Sequence, residues 1–407
     1  RWLSDTMVLS GTSPRTIIRT AEKFSIIRRM IGDDVDWVDA LAFTFLEEQA
    51  FETTKIIRQD PDKFVQNPAS LNEYAFLLTN EEDRRNKLRE FAKYGDNNEE
   101  VRNILSFLFP TLGSVSEKRA QIIDPPFNRI QFRSPLLALL RFGLLPGRVS
   151  VEEVRAALNN PDSLKSMLIE VFSSSDGEKL DQVFDYLGRH GSAELIRRST
   201  IEALAEYERN HTEISEMRAA GGKVADTFAE DKRLDEDVAV GILEDFMTNE
   251  WSQVARILRR YIFMHGMYKW SDRSYGHPNI NDPETISFLV ENYVQRTQAL
   301  GGIRHIVRET TTSHSIWLMM DYHRDSGEAM ADDFKQVKSD PTLFSKFLKL
   351  CFGPGYSTDH SSVSGMISRD EVRDLITEYD FENSDDRHLK SITSEVLKIW
   401  GTVSEAI

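Results

Sequence analysis

Apolar residues recur at helical spacing along almost the whole chain, and this periodicity limits its fold more than any other feature. The segment 36–50, for example, has its large apolar residues on one side of a helix. Capping boxes begin two further helices: Ser150 and Ser368 can each bind the amide three residues on, while Glu153 and Glu371 reach back. Few stretches alternate convincingly as strands do. We therefore predict an all-α fold, either a multi-helix irregular bundle or a solenoid-like array.

Proline, glycine and polar residues mark the predicted ends of these helices. Helix stops are predicted at Asp60-Pro61, Pro110, Asn160-Pro161 and Gly353-Pro354-Gly355. We expect a polar hinge at 173–178 and a second break at 219–223, which contains two consecutive glycines. The strongly charged stretch 227–237 is predicted to be solvated.

The chain has 407 residues, enough for two or three structural units with substantial cores. Its net charge of −16 argues against the whole surface of the protein being a platform for nucleic acid. Cys351 is the only cysteine, so no intrachain disulfide can form, and its apolar neighbours predict a buried thiol in a reducing cytosol. No apolar run reaches the roughly 18–20 residues that a membrane-spanning helix needs. We therefore expect a cytoplasmic protein with no membrane segment in this chain.

A well-defined helix start lies near the beginning of the chain. Ser13 is suited to cap the helix, and Pro14 occupies the first helical position, where a missing N–H costs nothing. The apolar stripe behind them comprises Ile17, Ile18, Ala21, Phe24, Ile27 and Ile31. Arg15 and Arg19 are one turn apart, on a different side from most of this stripe. From local physics alone, this is an ordinary surface helix with two solvated arginines.

The SPR-x-x-x-R start, followed by the apolar helix predicted at 36–43, resembles the KAP family of P-loop NTPases. Further along the chain, DPPFNRIQF at 124–132 and GLLPGRVS at 143–150 resemble the C-terminal pattern of bacterial KAP proteins. The chain departs from that pattern where PPFNRIQF replaces a tyrosine-rich version, and in an insertion at 133–140. The resemblance covers residues 1 to about 188.

The resemblance implies two parts, NTPase lid-like helices at 1–60 and a KAP-type helical C-terminal region at 61–190. Beyond the resemblance we expect a second helical domain for sensing or interaction at 191–407. In this family the lid closes a nucleotide-binding core, and arginine can fork onto phosphate oxygens. The residues that match this role are Arg15 first and Arg19 second. The resemblance therefore predicts an NTPase lid helix followed by the multi-helix array.

No G-x-x-x-x-G-K-[ST] motif occurs in the chain, so the residues that cradle the β- and γ-phosphates are missing and the chain alone should not hydrolyse ATP. The sequence begins at Arg1 without a methionine, and we expect a fragment that starts where the motor ends. A missing NTPase core predicts an apolar patch around Val8, Leu9 and Ile18.

The resemblance implies that the parent protein is a bacterial ATPase that binds ATP and Mg²⁺ and belongs to antiphage defence. Its helical part would couple recognition of a partner or trigger to hydrolysis by the upstream core. The expected partners are that core and either other proteins or further copies of the chain.

An aromatic and basic stretch at 256–273 is a candidate for binding nucleic acid or an acidic partner, because arginines beside stacking aromatics can hold a strand. Its candidate residues are Arg256, Arg259, Arg260, Tyr268, Lys269 and Trp270. The alternative is a core helix with Leu258, Ile262 and Phe263 buried and the arginines extending outward. The core helix is favoured, so nucleic-acid binding stays a secondary expectation.

Metal and acid–base chemistry have little support in the sequence. The nine histidines are scattered, no H-E-x-x-H occurs, and one cysteine cannot build a cysteine-rich zinc site. In the closest cluster, Asp321 and Asp325 would share a helix face while His323 points away, which favours ion pairing. No metal site and no cofactor is predicted for this chain itself.

Two other functions stay open at the sequence level. One is an autonomous α-helical adaptor or scaffold with no link to nucleotide. The other is a metal-dependent hydrolase or nuclease around His314, His323 and Asp325.

Overall fold

The computed structural model describes residues 13–65, 99–110, 128–143, 147–174, 176–210, 214–267, 277–309, 313–319, 331–352 and 369–401. Within these ranges the regular secondary structure is helical, and no β-strand is present. The predicted all-α fold is therefore confirmed. The chain divides into two compact units, one made of Arg1–Asn159 with Asp176–His190 and the other of Asn160–Ser175 with Gly191–Ile407.

The first unit is a cluster of helices around a central one. In chain order its helices are α1 (Pro14–Ile31), α2 (Trp37–Gln49), α3 (Phe51–Gln59), α4 (Glu99–Leu108), α5 (Arg133–Arg141), α6 (Val151–Ala157) and α8 (Gly177–Arg189), with a 3₁₀ turn at Pro61–Lys63. Helix α2 packs against α1, α3 and α4, and α6 packs against α8.

The second unit begins with a helix that precedes α8 in the chain. Its helices are α7 (Pro161–Ser173), α9 (Ala193–Asn210), α10 (Ile214–Glu230), α11 (Glu236–Asn249), α12 (Trp251–Met264), α13 (Pro283–Ala299), α14 (Gly302–Glu309), α15 (Ala331–Lys338), α16 (Pro341–Cys351), α17 (Arg369–Glu378) and α18 (Arg387–Gly401), with a 3₁₀ turn at Phe381–Asn383. Helix α7 packs along α9, and α10 packs against α12.

Each unit buries its own apolar side chains. In the first unit, Phe43 and Leu46 of α2 are buried in one cluster with Ile27 of α1 and with apolar residues of α4 and α5. In the second unit one large cluster extends from α9 to α18. Cys351 lies in it, fully buried as predicted, and burial raises the pKa of its thiol. That thiol is therefore a packing group rather than a nucleophile.

Most of the predicted helix ends are confirmed. The Ser150 hydroxyl accepts from the Glu153 amide at 3.1 Å, and the Glu153 carboxylate accepts from the Ser150 amide at 2.7 Å, which is the predicted capping box. Ser13 caps α1 by accepting from the Thr16 amide at 3.2 Å. Helix α3 ends just before Asp60-Pro61, and α7 begins at Pro161. Ser368 and Gly353-Pro354-Gly355 lie outside the described residues.

The break predicted at 219–223 is wrong, because α10 runs through these residues without interruption. One of the two glycines, Gly221, serves packing instead of a turn. A Cβ atom on Gly221 would lie 1.8 Å from Nη1 of Arg256, whose guanidinium occupies that space. Glycine is therefore needed inside this helix for a close approach, at the cost of helix propensity.

The stretch 227–237 is also less solvated than predicted. Phe228 and Leu234 are buried, and the carboxylate of Asp231 is buried between two arginines. Arg197 Nη2 lies 2.8 Å from Asp231 Oδ2, and Arg233 Nη2 lies 2.9 Å from the same oxygen. Asp231 therefore forms an internal ion-pair cluster with Arg197 and Arg233, whereas Lys232, Asp235 and Asp237 are exposed as predicted.

None of the helices in the described part of the chain is long and apolar enough to cross a bilayer.

Candidate functional site

Helix α1 presents two different faces. Thr20, Ile27 and Ile31 are buried on the side that packs on α2. The opposite side of α1 is exposed to solvent, and we call it the outer face. The outer face consists of Arg15, Ile18, Arg19, Glu22, Ile26, Arg29 and Met30, whose successive members are one, three or four residues apart.

Local interactions fix both ends of α1. The Ser13 cap and Pro14 at the first helical position set its start. At its end Gly32 adopts a φ of 56°, in the left-handed region that favours glycine, and donates its amide to the Arg28 carbonyl at 3.0 Å. Lys23 reaches Glu47 of α2 at 2.7 Å and ties the helix to its neighbour. The outer face therefore belongs to a helix that is capped at both ends and tied to α2 by an ion pair.

The arginines of α1 are not neutralised within the described residues. Arg15, Arg19, Arg28 and Arg29 are exposed and form no ion pair there. The first turn of α1 also contains no acidic residue. An uncompensated cation near a helix N-terminus is unfavourable, because the end of the helix dipole is itself positive. The start of α1 is consequently suited to receive an anion.

A buried ion pair connects two segments that carry the family resemblance. Asp39 of α2 is fully buried, and both of its carboxylate oxygens lie 2.8 Å from Nε of Arg129. The Ile130 amide donates to the same carboxylate at 2.8 Å, and the Arg129 guanidinium lies 4.9 Å from the Phe107 ring centroid. Burial raises the pKa of Asp39 to about 6, against the lowering effect of these donors.

The loop between α1 and α2 is acidic, and its carboxylates serve the fold. Asp34 accepts from the Val151 amide at 2.7 Å, and burial raises the pKa of Asp34. Asp33 pairs with Arg155 at 2.8 Å, and Asp36 caps α2. Because each of these side chains already has a partner, we do not assign a cation site to the loop.

Arg148, from the GLLPGRVS motif, is also an internal residue. Its guanidinium is almost fully buried and lies 2.7 Å from Glu178 and 3.3 Å from Asp176, at the start of α8. Glu178 in turn accepts from the Ser134 amide of α5 at 2.8 Å. This motif therefore joins three helices of the first unit and offers no free cation.

The basic stretch at 256–273 does not present its arginines together. Arg256 is buried and lies 2.6 Å from Glu208, while Arg260 pairs with Asp226 at 2.8 Å. Arg259 lies beside His314, with 3.3 Å between Nη1 and Nδ1. Leu258 and Ile262 are buried in the core. The candidate residues Tyr268, Lys269 and Trp270 lie outside the described residues.

The region of His314 gives no support to a metal site. A guanidinium next to an imidazole nitrogen repels a metal ion, and Arg259 occupies that position. No group of histidine, cysteine, aspartate and glutamate side chains in the described ranges could hold a metal ion. Asp321, His323 and Asp325 are not among the described residues.

Sequence reasoning placed Ile18 both in the apolar stripe of α1 and in the patch expected where a missing core would pack, and did not single out Ile26, Arg29 or Met30. In the structure Ile18 lies on the outer face, as one member of the apolar patch expected around Val8, Leu9 and Ile18. Val8 and Leu9 are outside the described residues. The available signal was apolar residues on more than one side of α1, which a helix packed on one side only does not need.

Comparison with known proteins provides no relative for this chain. It matches no protein-family model, and no curated protein or solved structure is significantly similar to it.

Proposed function

We propose that this chain is the helical regulatory and interaction region of a bacterial KAP-type P-loop ATPase of antiphage defence. In this proposal it couples recognition of a partner or trigger, in the cytoplasm, to hydrolysis by an upstream core. The observation that carries the proposal is the exposure of Arg15 and Arg19, one turn apart at the start of α1, with no acidic partner among the described residues.

The chemistry of these two arginines suits a phosphate. Guanidinium stays charged and donates two parallel N–H groups, and the adjacent helix start adds amides and a positive dipole end. The ATP and Mg²⁺ would be held by the upstream core, since this chain has no G-x-x-x-x-G-K-[ST] motif. Helix α1 then acts as a lid that places positive charge next to the phosphate, where negative charge develops during phosphoryl transfer.

Two further observations support the proposal. The two segments that resemble the family, at 36–43 and 124–132, meet through Asp39 and Arg129 and through the Asp36 amide, which donates to the Asn128 carbonyl at 2.8 Å. Eight of the ten most exposed large apolar side chains among the described residues also belong to the first unit. An apolar surface concentrated in one unit is expected where a further domain packs.

The test uses the parent protein that the proposal implies, in which an NTPase core is joined to this chain. Replacing Arg15 by Ala should lower the rate of ATP hydrolysis at least tenfold, because a phosphate loses a charged hydrogen-bond donor. Arg19→Ala should have a smaller effect in the same direction. Arg28→Ala is the matched control, because Arg28 is equally exposed but more than three turns away on the same helix.

Unchanged ATP affinity and hydrolysis rate in the Arg15→Ala protein would show the proposed role to be wrong. The chain would then be better described as an autonomous helical adaptor. Equal losses for Arg15→Ala and Arg28→Ala would point to a general effect of positive charge on α1.

A further inference from the structure

We propose that the buried carboxylate of Glu47 fixes the position of α1, and with it the position of Arg15. This role of Glu47 rests on the proposed lid function of α1, and it identifies the residue that would hold the lid in place. Glu47 belongs to α2, the helix on which α1 packs, and has no part in the phosphate contact assigned to Arg15. It is therefore a positioning residue that acts through α1.

Glu47 lies between positive charges from two neighbouring helices. Its side chain is only 6% exposed, and Lys23 Nζ of α1 lies 2.7 Å from its Oε2 atom. The guanidinium of Arg58, from α3, donates to its Oε1 atom. Arg58 also donates from Nη1 to the Leu140 carbonyl of α5 at 3.3 Å. Through one carboxylate, α1 is therefore connected to α2, α3 and α5.

The ion pairs of Lys23 give α1 its directional contacts with α2. Within the described residues, no other side chain of α1 forms an ion pair with another element. The inward side of the helix is otherwise mainly apolar, with Ile27 and Ile31 buried in the core. Apolar packing has no preferred direction, whereas a charge-assisted hydrogen bond fixes a distance and an angle. Without Glu47, α1 can therefore shift on α2 while its apolar side stays covered.

The same lysine has a second and weaker acceptor in Glu48. The Lys23 Nζ atom lies 3.7 Å from Glu48 Oε1, beyond hydrogen-bond distance, and the Glu48 side chain is 25% exposed. Solvent screens this pair more than the buried one. If Glu47 loses its charge, Lys23 keeps Glu48 alone, which lies about 100° further round α2. The change therefore favours a different position of α1 rather than its unfolding.

A shift of α1 at Lys23 also displaces the start of the helix. Arg15 lies about 12 Å before Lys23 along the helix axis, so a small rotation at the lysine moves the guanidinium of Arg15. Catalysis is sensitive to such movement, since a misplacement of about 1 Å can lower a rate by roughly 100-fold. Loss of the Glu47 charge should therefore reduce hydrolysis without removing any group that contacts phosphate.

The first test measures the position of α1 in this chain without ATP. Glu22→Cys on α1 and Glu52→Cys on α3, both at exposed positions, carry spin labels whose separation is measured by double electron–electron resonance. Cys351 is buried and stays unlabelled. Glu47→Gln should shift the mean label separation by about 2 Å or broaden its distribution, while the circular dichroism spectrum stays that of the native chain. Glu48→Gln is the matched control and should change neither.

The second test measures ATP hydrolysis by the parent protein that the proposed function implies. Glu47→Gln should lower kcat about tenfold and change the KM for ATP less than about twofold, because ATP is held by the core and only the lid moves. Lys23→Met should have the same effect, and combining it with Glu47→Gln should add little. Lys23→Arg keeps the charge and should retain most of the rate. A residue needed only for folding would instead lower the yield of folded protein and leave its kcat unchanged.

Unchanged label separations in the Glu47→Gln chain, or equal shifts for Glu47→Gln and Glu48→Gln, overturn the proposal. It is also overturned if Arg15→Ala lowers hydrolysis while Glu47→Gln does not, and the lid role then stands without Glu47. A label shift for Glu47→Gln together with normal hydrolysis in the Arg15→Ala protein supports the position set by Glu47 and contradicts the lid. The two proposals can therefore fail separately.

Discussion

Asp39 shows how a single buried carboxylate organises the first unit. It has no contact with solvent, and three N–H···O contacts, two from Arg129 Nε and one from the Ile130 amide, join α2 to residues 128–132. A buried charge with a missing partner is costly, typically by several kcal/mol, because the desolvation of the remaining group is no longer offset. The pair therefore has more influence than the exposed ion pairs of the chain, such as Arg133 with Asp62.

Replacing Arg129 by Met should lower the free energy of unfolding by about 3 kcal/mol at pH 8. The loss should be smaller at pH 5. The pKa of Asp39 is about 6 in the folded chain and 3.8 ordinarily, so the folded state binds a proton more tightly. The contribution of Asp39 protonation to the free energy of unfolding is fully present below about pH 3.8 and is lost as the pH rises through 6. Without Arg129 that pKa rises further, so protonation relieves the buried charge at pH 5.

Urea unfolding at the two pH values checks this result. Arg133→Met is the matched control, because its pair with Asp62 is exposed, and it should change stability by less than about 0.5 kcal/mol at either pH. A loss for Arg129→Met that is the same at pH 5 and pH 8 would contradict the role given to Asp39.

Helix α10 illustrates packing that outweighs helix propensity. Gly221 and Gly222 are consecutive in this helix, yet their surroundings differ. Gly221 is buried against the Arg256 guanidinium, which Glu208 holds at 2.6 Å. Gly222 is exposed, and a Cβ atom there would meet nothing within 4 Å.

Alanine at the two positions should therefore have opposite effects. Gly222→Ala should raise the free energy of unfolding by up to about 1 kcal/mol, because alanine is the better helix former. Gly221→Ala should lower it by about 2 kcal/mol or more, because the methyl group displaces a buried guanidinium from its carboxylate. Thermal unfolding of the two variants measures both signs, and stabilisation by Gly221→Ala would show that Arg256 can move without cost.

The sequence was sufficient for the helical class and for most helix ends, because caps, prolines and spacing act between near neighbours. Ser13 and Ser150 each cap the helix that their local pattern predicted. The sequence was not sufficient to predict that α10 continues through Gly221. Glycine is required there by the close contact with Arg256, which lies on another helix. The sequence also could not distinguish Ile18 from Ile27, since both are apolar at helical spacing and only contact with α2 makes one of them buried.

At the scale of the whole molecule, the two units are interleaved in sequence. The chain passes from the first unit to the second after Asn159, returns at Asp176, and leaves again after His190. Helix α7 therefore belongs to the second unit, where the Phe172 and Tyr207 ring centroids are 6.0 Å apart and Lys165 lies 2.7 Å from Glu206. A cut at any one position leaves one unit incomplete.

Fragments test this division directly. A fragment of residues 191–407 lacks α7 and exposes the side of α9 that α7 covers, including Tyr207. We expect it to unfold at a temperature at least 10 °C below that of fragment 160–407, since a helix of buried Leu164, Leu168 and Phe172 is missing. Equal melting temperatures in differential scanning calorimetry would mean that α7 contributes little to the second unit.

The interleaving also determines the order in which the molecule can be completed during synthesis. Helix α7 leaves the ribosome before α9, the helix on which it packs. Its apolar side therefore stays exposed until the next few tens of residues have been synthesised. At about 5–20 residues per second, this takes some seconds. During that time the apolar side of α7 is open to a chaperone that binds nascent chains. The first unit likewise cannot close until α8 has emerged, although its other described helices, α1 to α6, have already been synthesised.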